Sequence, residues 1–384
     1  MKPAETPAWP TLTVVAESDM ARLYRDKAFP FVRRGTIYGF ALKEALVKPK
    51  ILREESAIFA LLALECNLTY GITGGNRGHL FYFHSAFGVS HVAELGQGPV
   101  AGGALVDLGN EEILGGWHGK DGGGLFRHNI RLEAAQGLEQ FLGEISPVEF
   151  LPAPQKGEGV STLVFNRSNR MVYGLTAPGN FLFSLAVDNK KAQPQMLAKI
   201  EGACPVLALL HDGRLLGTYA EGRLWEYEPF QAKLQALDAH APCQSGKRYV
   251  AGVASLLVSS ANTVYGGTTV DGYLFRYDPV SGNLANLGKP NRQSYIRSLV
   301  EGHDGLIYGI VDEPKGMAHL FVYDPAGQGF CDLGIIGTTI PEYWFAHSIG
   351  AMSVGPFGEI FLGETDAISH LFIYYPPIPH SRKK

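Results

Sequence analysis

An all-β ring of seven four-stranded blades is the architecture that this sequence predicts, on three observations. A short apolar segment ending in Gly, followed after a polar break by Leu plus a large aromatic, recurs seven times within the 384 residues. The aromatic anchors Phe81, Phe126, Phe183, Trp225, Phe275, Phe321 and Phe372 lie 45, 57, 42, 50, 46 and 51 residues apart, the period of a propeller blade rather than of a helical solenoid unit. Within each copy the residues alternate, with Phe275 and Tyr277 on one face and Leu274, Arg276 and Asp278 on the other. That is the period of a strand. Helical spacing is sustained in no repeat. The expected fold is a seven-bladed β-propeller, which leaves only short, protected sheet edges.

Each element follows in order. The innermost strands are the short, apolar, small-residue segments 57–64, 100–108, 160–165, 205–210, 253–259, 296–302 and 349–355, suited to a crowded axis. Next come the Gly-ending second strands, such as VYGG at 264–267 and IYGI at 307–310. Gly78, Gly124, Gly179, Gly222, Gly272 and Gly316, with Asn and Asp beside them, mark the turns into the third strands, because these residues tolerate positive φ. Asp-Pro at 278–279 and 324–325 ends the third strand, since proline cannot donate to a ladder. LANLGK (284–289) and CDLGII (331–336) then supply outer strands.

The chain reads as a single domain, 1–384, with an N-terminal segment at 1–53 and blades near 54–97, 98–157, 158–201, 202–246, 247–291, 292–346 and 347–376. Only eight residues follow strand 371–376, so the last blade lacks an outer strand of its own. Segment 36–51 is the candidate to complete it, with 11–28 as the alternative. Segment 134–157 lengthens blade 2 and is expected to cross the top face as a lid, a partner contact or decoration.

Composition agrees with this reading. A chain that is 46% hydrophobic with 47 Gly has ample core and many turns. Net charge −4 and pI ≈ 6.3 argue against a nucleic-acid surface. No apolar run approaches a membrane span, and the first residues lack a secretory pattern. A cytoplasmic protein is the expectation. Cys66, Cys204, Cys243 and Cys331 are scattered without metal-ligand spacing, and no metal site is expected. No motif assigns a cofactor. P-loop, GxSxG and HExxH patterns are all missing.

Function is expected where loops depart from the repeat, on the face where blade connections and the turns between second and third strands gather. On the turns, Arg77 and the stretch WHGKDGG, with Trp117, His118 and Lys120, are candidates for ligand binding. On the connections the candidates are Arg248, Tyr249, Tyr295, Arg297, Trp344 and His347. Aligning the inner strands puts Arg297 in register with Phe59, Gly103, Thr162, Pro205, Ala254 and Gly350, as the only charge in the column. Such a guanidinium either pairs with Glu301, Asp304 or an acid of the next blade, or waits for an anion. Aromatics, Arg and His on one arc suit an acidic sugar. In a β-elimination Arg297 would neutralise a carboxylate, His347 take the proton and Tyr295 protonate the leaving oxygen. His79, His319 and His370 precede the Leu-aromatic pair and read as structural members of the third strand.

The stretch YGGTTVDGYLFRYDPVSGNLANLGKPNRQSYIRSLVEGHDGLIYG (265–309) resembles repeats of bacterial seven-bladed propellers of the kelch, quinoprotein-like and polysaccharide-lyase-like groups, most clearly over 203–376. The resemblance implies the fold. It also implies either an enzyme, a lyase or hydrolase acting on acidic oligosaccharides, or a non-catalytic protein-interaction scaffold, so a small-molecule or glycan ligand and a protein partner are both expected. Propeller lyases of similar length use His, Tyr and Arg.

Overall fold

The computed structural model describes residues 32, 34–42, 51–86, 88–131, 133, 146–314, 316–338, 343–366 and 368–377. They form seven four-stranded antiparallel sheets and one two-stranded hairpin, Gly337–Thr338 with Trp344–Phe345. The inner strands are Ala57–Ala63, Val100–Gly109, Gly159–Asn166, Ala203–Leu209, Val253–Val258, Tyr295–Glu301 and Ile349–Val354. Each packs beside the next and the seventh packs beside the first, so the strands close a ring. This is the predicted seven-bladed propeller.

Blade 7 closes the ring with a strand from the other end of the chain. Its own strands are Ile349–Val354, Ile360–Glu364 and His370–Tyr375, and Thr36–Ala41 adds the outer one, pairing Thr36 with Tyr375 and Ala41 with His370. The closing strand thus comes from the predicted segment 36–51. The alternative, 11–28, lies outside the described residues.

The Gly-aromatic repeat has a packing cause. In blades 1 to 6 the second-strand glycine stands directly opposite the third-strand anchor: Gly71 faces Phe81, Gly115 faces Phe126, Gly174 faces Phe183, Gly217 faces Trp225, Gly266 faces Phe275 and Gly309 faces Phe321. A Cβ on any of them would strike the ring. Every anchor is fully buried between blades, where large rings contribute most of the apolar burial. Blade 7 departs, because Leu362 faces Phe372. There the glycine sits on the closing strand, Gly39, which pairs with Phe372 from the other side.

A second repeat feature was misaligned by the sequence. In six blades one residue near the start of the inner strand bulges out of register: Phe59, Ala101, Ser161, Ala254, Arg297 and Gly350, with a longer irregularity over 204–206 in blade 4. Ala101 and Ser161 occupy the column, not Gly103 and Thr162. Arg297 remains its only charge.

Segment 134–157 also needs correction. Val148–Leu151 is the outer strand of blade 2, paired to Leu125–His128. Because successive strands alternate in direction, the connection before it leaves from the rim opposite the predicted top face. Its described ends are tied there: Ser146 donates N–H and Oγ–H to Glu133, which also meets His128 Nε2 at 3.0 Å. Residues 134–145 lie outside the described set.

Candidate functional site

The bulge in the inner strand of blade 6 puts Arg297 at the rim of the ring. Its guanidinium lies 4.3 Å from the centre of the Tyr295 ring, a cation–π arrangement. Nε donates to Asp312 Oδ2 at 2.5 Å. Asp312 ends the second strand of the same blade, across the ladder from Tyr295, and its side chain is only 1% exposed. Ser348 donates its hydroxyl to the same oxygen at 3.2 Å, while Asp312 Oδ1 has no partner. The Arg297 side chain is 33% exposed, and neither Nη group meets an acceptor among the described residues. The carboxylates proposed from sequence do other work: Glu301 accepts from Ser260, and Asp304 accepts from Tyr308 and the Leu306 N–H. Arg297 is therefore paired with Asp312, through one edge of the guanidinium.

Burial shapes the protonation of this cluster. It pushes the Asp312 carboxyl above the usual range, with Arg297 and then Ser348 pulling it back. It also pushes the Tyr295 hydroxyl up, against the nearby Arg297 charge. His347, exposed at the entry to blade 7, has Nδ1 3.0 Å from the Gly316 carbonyl. A carbonyl only accepts, so Nδ1 carries a proton here and Nε2 is the nitrogen left without a protein partner. Asp312 links the group, holding Arg297 on one side and Ser348, the residue after His347, on the other.

No hydrogen bond or ion pair among the described residues joins the other candidates to this cluster. Trp344 Nε1 donates to both oxygens of Glu364, at 3.0 and 3.1 Å, and its ring lies 4.7 Å from His370. Arg248 and Tyr249 share a single 3-10 turn between blades 4 and 5, where Arg248 donates to the Ala241 carbonyl and Tyr249 is 77% exposed. On blade 1, Arg77 reaches Glu94 at 3.5 Å and Glu55 at 3.9 Å. WHGKDGG is not a loop but a hairpin, with Trp117 to Gly119 in one strand, Gly122 onward in the next, and Lys120 and Asp121 at its tip. Trp117 is buried against Phe126 and Phe150. His118 is half-buried over Gly102, and desolvation pulls its imidazole down.

Blades 1, 6 and 7 each carry a His–carboxylate pair, together a largely buried polar belt. His370 Nδ1 lies 3.0 Å from Glu364 Oε2, and His319 Nδ1 3.0 Å from Asp332 Oδ2. His79 Nε2 lies 2.9 Å from Glu55 Oε2, with its Nδ1 3.2 Å from His91 Nε2. Burial and the neighbouring His79 push His91 down to about 4. His79, His319 and His370 do stand in third strands, as expected, but each is held by a carboxylate that the sequence did not single out. A signal existed. Thr176 and Thr268, next to last and last in their second strands, accept an N–H from the entry to the third, and Glu364 does the same for His370. An acid in that threonine's place marks Glu364, whereas Glu55, in the 3-10 turn before blade 1, and Asp332, on an outer strand, carry no such mark.

Among the described residues no group of three or more His, Cys, Asp or Glu is arranged to hold a metal ion, and no helix is long and apolar enough to cross a membrane. No protein-family model and no curated protein sequence matches the chain. Solved structures match its fold. Virginiamycin B lyase from Staphylococcus aureus aligns with TM-score 0.65 at 8% identity, over 88% of this chain and 99% of that one. The WD40 β-propeller domain of Doa1 aligns with TM-score 0.54 at 14% identity, over 87% and 97%. The extracellular domain of a putative one-component system from B. thetaiotaomicron aligns with TM-score 0.58 at 17% identity, over 85% of this chain. The chain spans only 39% of that domain. At such identities the likeness is one of fold, and this fold carries enzymes and scaffolds alike.

Proposed function

We propose that this propeller binds a carboxylate-bearing small ligand, of the acidic oligosaccharide class, at the rim between blades 6 and 7. The observation that carries the reading is Arg297, fixed through Nε to a buried carboxylate and laid over Tyr295 while its Nη edge stays unpaired. A guanidinium held this way has lost its freedom before the ligand arrives, so a bidentate carboxylate contact costs little further ordering.

The same residues supply the parts of a β-elimination. Arg297 would neutralise the ligand carboxylate, Nε2 of His347 would take the adjacent proton, and Tyr295, its hydroxyl kept protonated by burial, would donate to the leaving oxygen. The test is a panel of acidic oligosaccharides, read by thermal shift for binding and by absorbance for the unsaturated product. Binding that disappears in Arg297→Ala supports the site, and product that disappears in His347→Ala supports the chemistry. A panel that gives neither a shift nor a product removes both.

A protein-interaction scaffold is the second reading, favoured by the exposed Tyr249 beside Val250 on the connection between blades 4 and 5. Partner binding abolished by Tyr249→Ala and indifferent to Arg297→Ala would select it.

A further inference from the structure

The opposite rim holds a cavity of about 430 Å³ between blades 6 and 7. Its walls come from the first turn of blade 6 (Gly302, His303, Asp304), the first turn of blade 7 (Phe357, Gly358, Glu359) and the end of the last strand (Tyr375, Pro376, Pro377). The lining combines aromatic and proline surface with two carboxylates. Neither acid has a cationic partner among the described residues. Asp304 accepts from the Leu306 N–H and the Tyr308 hydroxyl, and Glu359 Oε2 accepts from the Phe357 N–H. Glu359 is only 4% exposed, yet Oε1 receives no hydrogen bond.

A buried carboxylate with an oxygen free of protein donors, lining a cavity in which His303 supplies the one imidazole and no Lys or Arg stands among the described walls, favours a cationic ligand over a neutral one. The aromatic walls narrow what that is. Phe357 is 79% exposed, so its ring face is open to a ligand, and Tyr375 is braced edge-on by Tyr38 at 6.1 Å. Rings beside carboxylates are the setting in which ammonium groups are recognised, the ring faces taking the alkyl surface and sharing the charge. The volume suits a small ligand. Burial, and after it the Glu359 charge, push the Tyr375 hydroxyl up.

We propose that this cavity binds a small alkylammonium ion, its charge met by Glu359 and Asp304 and its methyl groups by Phe357, Tyr375 and the two prolines. The site is separate from the Arg297 rim and takes a ligand of opposite charge, so the two readings stand or fall apart.

The experiment is calorimetric titration of the full chain with choline and with its neutral isostere 3,3-dimethylbutan-1-ol. Choline is expected to bind about tenfold more tightly than the isostere. Glu359→Gln, which keeps an acceptor for the Phe357 N–H, is expected to cost choline about tenfold and leave the isostere unchanged. Phe357→Ala, at an exposed position that folding does not need, is expected to weaken both. Each titration is repeated with Arg382, Lys383 and Lys384 changed to Ser, which removes the cations that follow Pro377 within seven residues in the sequence. Choline binding that appears only in that variant still supports the site. Equal affinity for choline and isostere, indifference to both cavity substitutions, or no choline binding in either background overturns it.

Discussion

Arg297→Ala tests the structural core of the rim site before any ligand is known. The substitution leaves the 1% exposed Asp312 with Ser348 alone on one oxygen and nothing on the other. Breaking a fully buried pair costs about 3–5 kcal/mol. Because the Arg297 side chain is 33% exposed, water enters on its removal, and the cost falls to about 2 kcal/mol. With an unfolding entropy of about 2 cal/mol/K per residue, a chain of this length should lose about 2–3 °C in Tm. The pH dependence is more diagnostic than the size. The folded pKa of Asp312 is raised above its unfolded value, so its contribution is fully present below the unfolded pKa and is lost as pH rises through the folded one. Removing Arg297 takes away the main lowering influence and raises that pKa further. The stability gap between wild type and Arg297→Ala should therefore be small near pH 3.5 and widen towards neutrality, as read by thermal and denaturant melts. Adding Asp312→Asn should close most of it. A gap independent of pH, or two substitutions whose costs simply add, would refute the account.

Other outcomes follow from the packing and the belt. Gly266→Ala drives a Cβ into the Phe275 ring and should cost about 1–3 kcal/mol, partly restored by Phe275→Leu, measured by denaturant midpoint. Gly39→Val should cost a similar amount by striking Phe372 and Thr338, and limited proteolysis should show blade 7 opening first. His91, held down to about 4, should show no imidazole titration by NMR above about pH 5. Its stabilising contribution is complete above the unfolded value and is lost as pH falls through the folded one. Trp344→Phe removes the indole donor from buried Glu364 and should cost about 1–3 kcal/mol, seen as a lower Tm.

The fold was legible because its cause is local. Each anchor needs a glycine opposite, and that requirement repeats with the blade. The closing strand could be found because a missing fourth strand must be supplied by some other segment. The site was only half legible. Arg297 broke a column and could be seen, but its partner Asp312 lies on another strand, and pairing across a ladder depends on register. Bulges move that register without an obvious mark in the apolar pattern, which is why Thr162 stood in for Ser161, one residue away, and Gly103 for Ala101, two away. Trp117 misled for a related reason. A run of glycines reads as a loop, yet here Gly124 makes room for the indole inside a continuous hairpin.

Closure by Thr36–Ala41 also imposes a timetable. That strand is made early, while its partner His370–Tyr375 emerges after most of the chain has been translated, a delay on the order of tens of seconds at roughly 5–20 residues per second. Until then an edge with its hydrogen-bonding groups unpaired must avoid other strands. Ser348, which braces Asp312 from the entry to blade 7, gains its place only as that blade assembles. The rim site thus reports that the ring has shut, and a chain stalled before blade 7 would carry Arg297 without the frame that aims it.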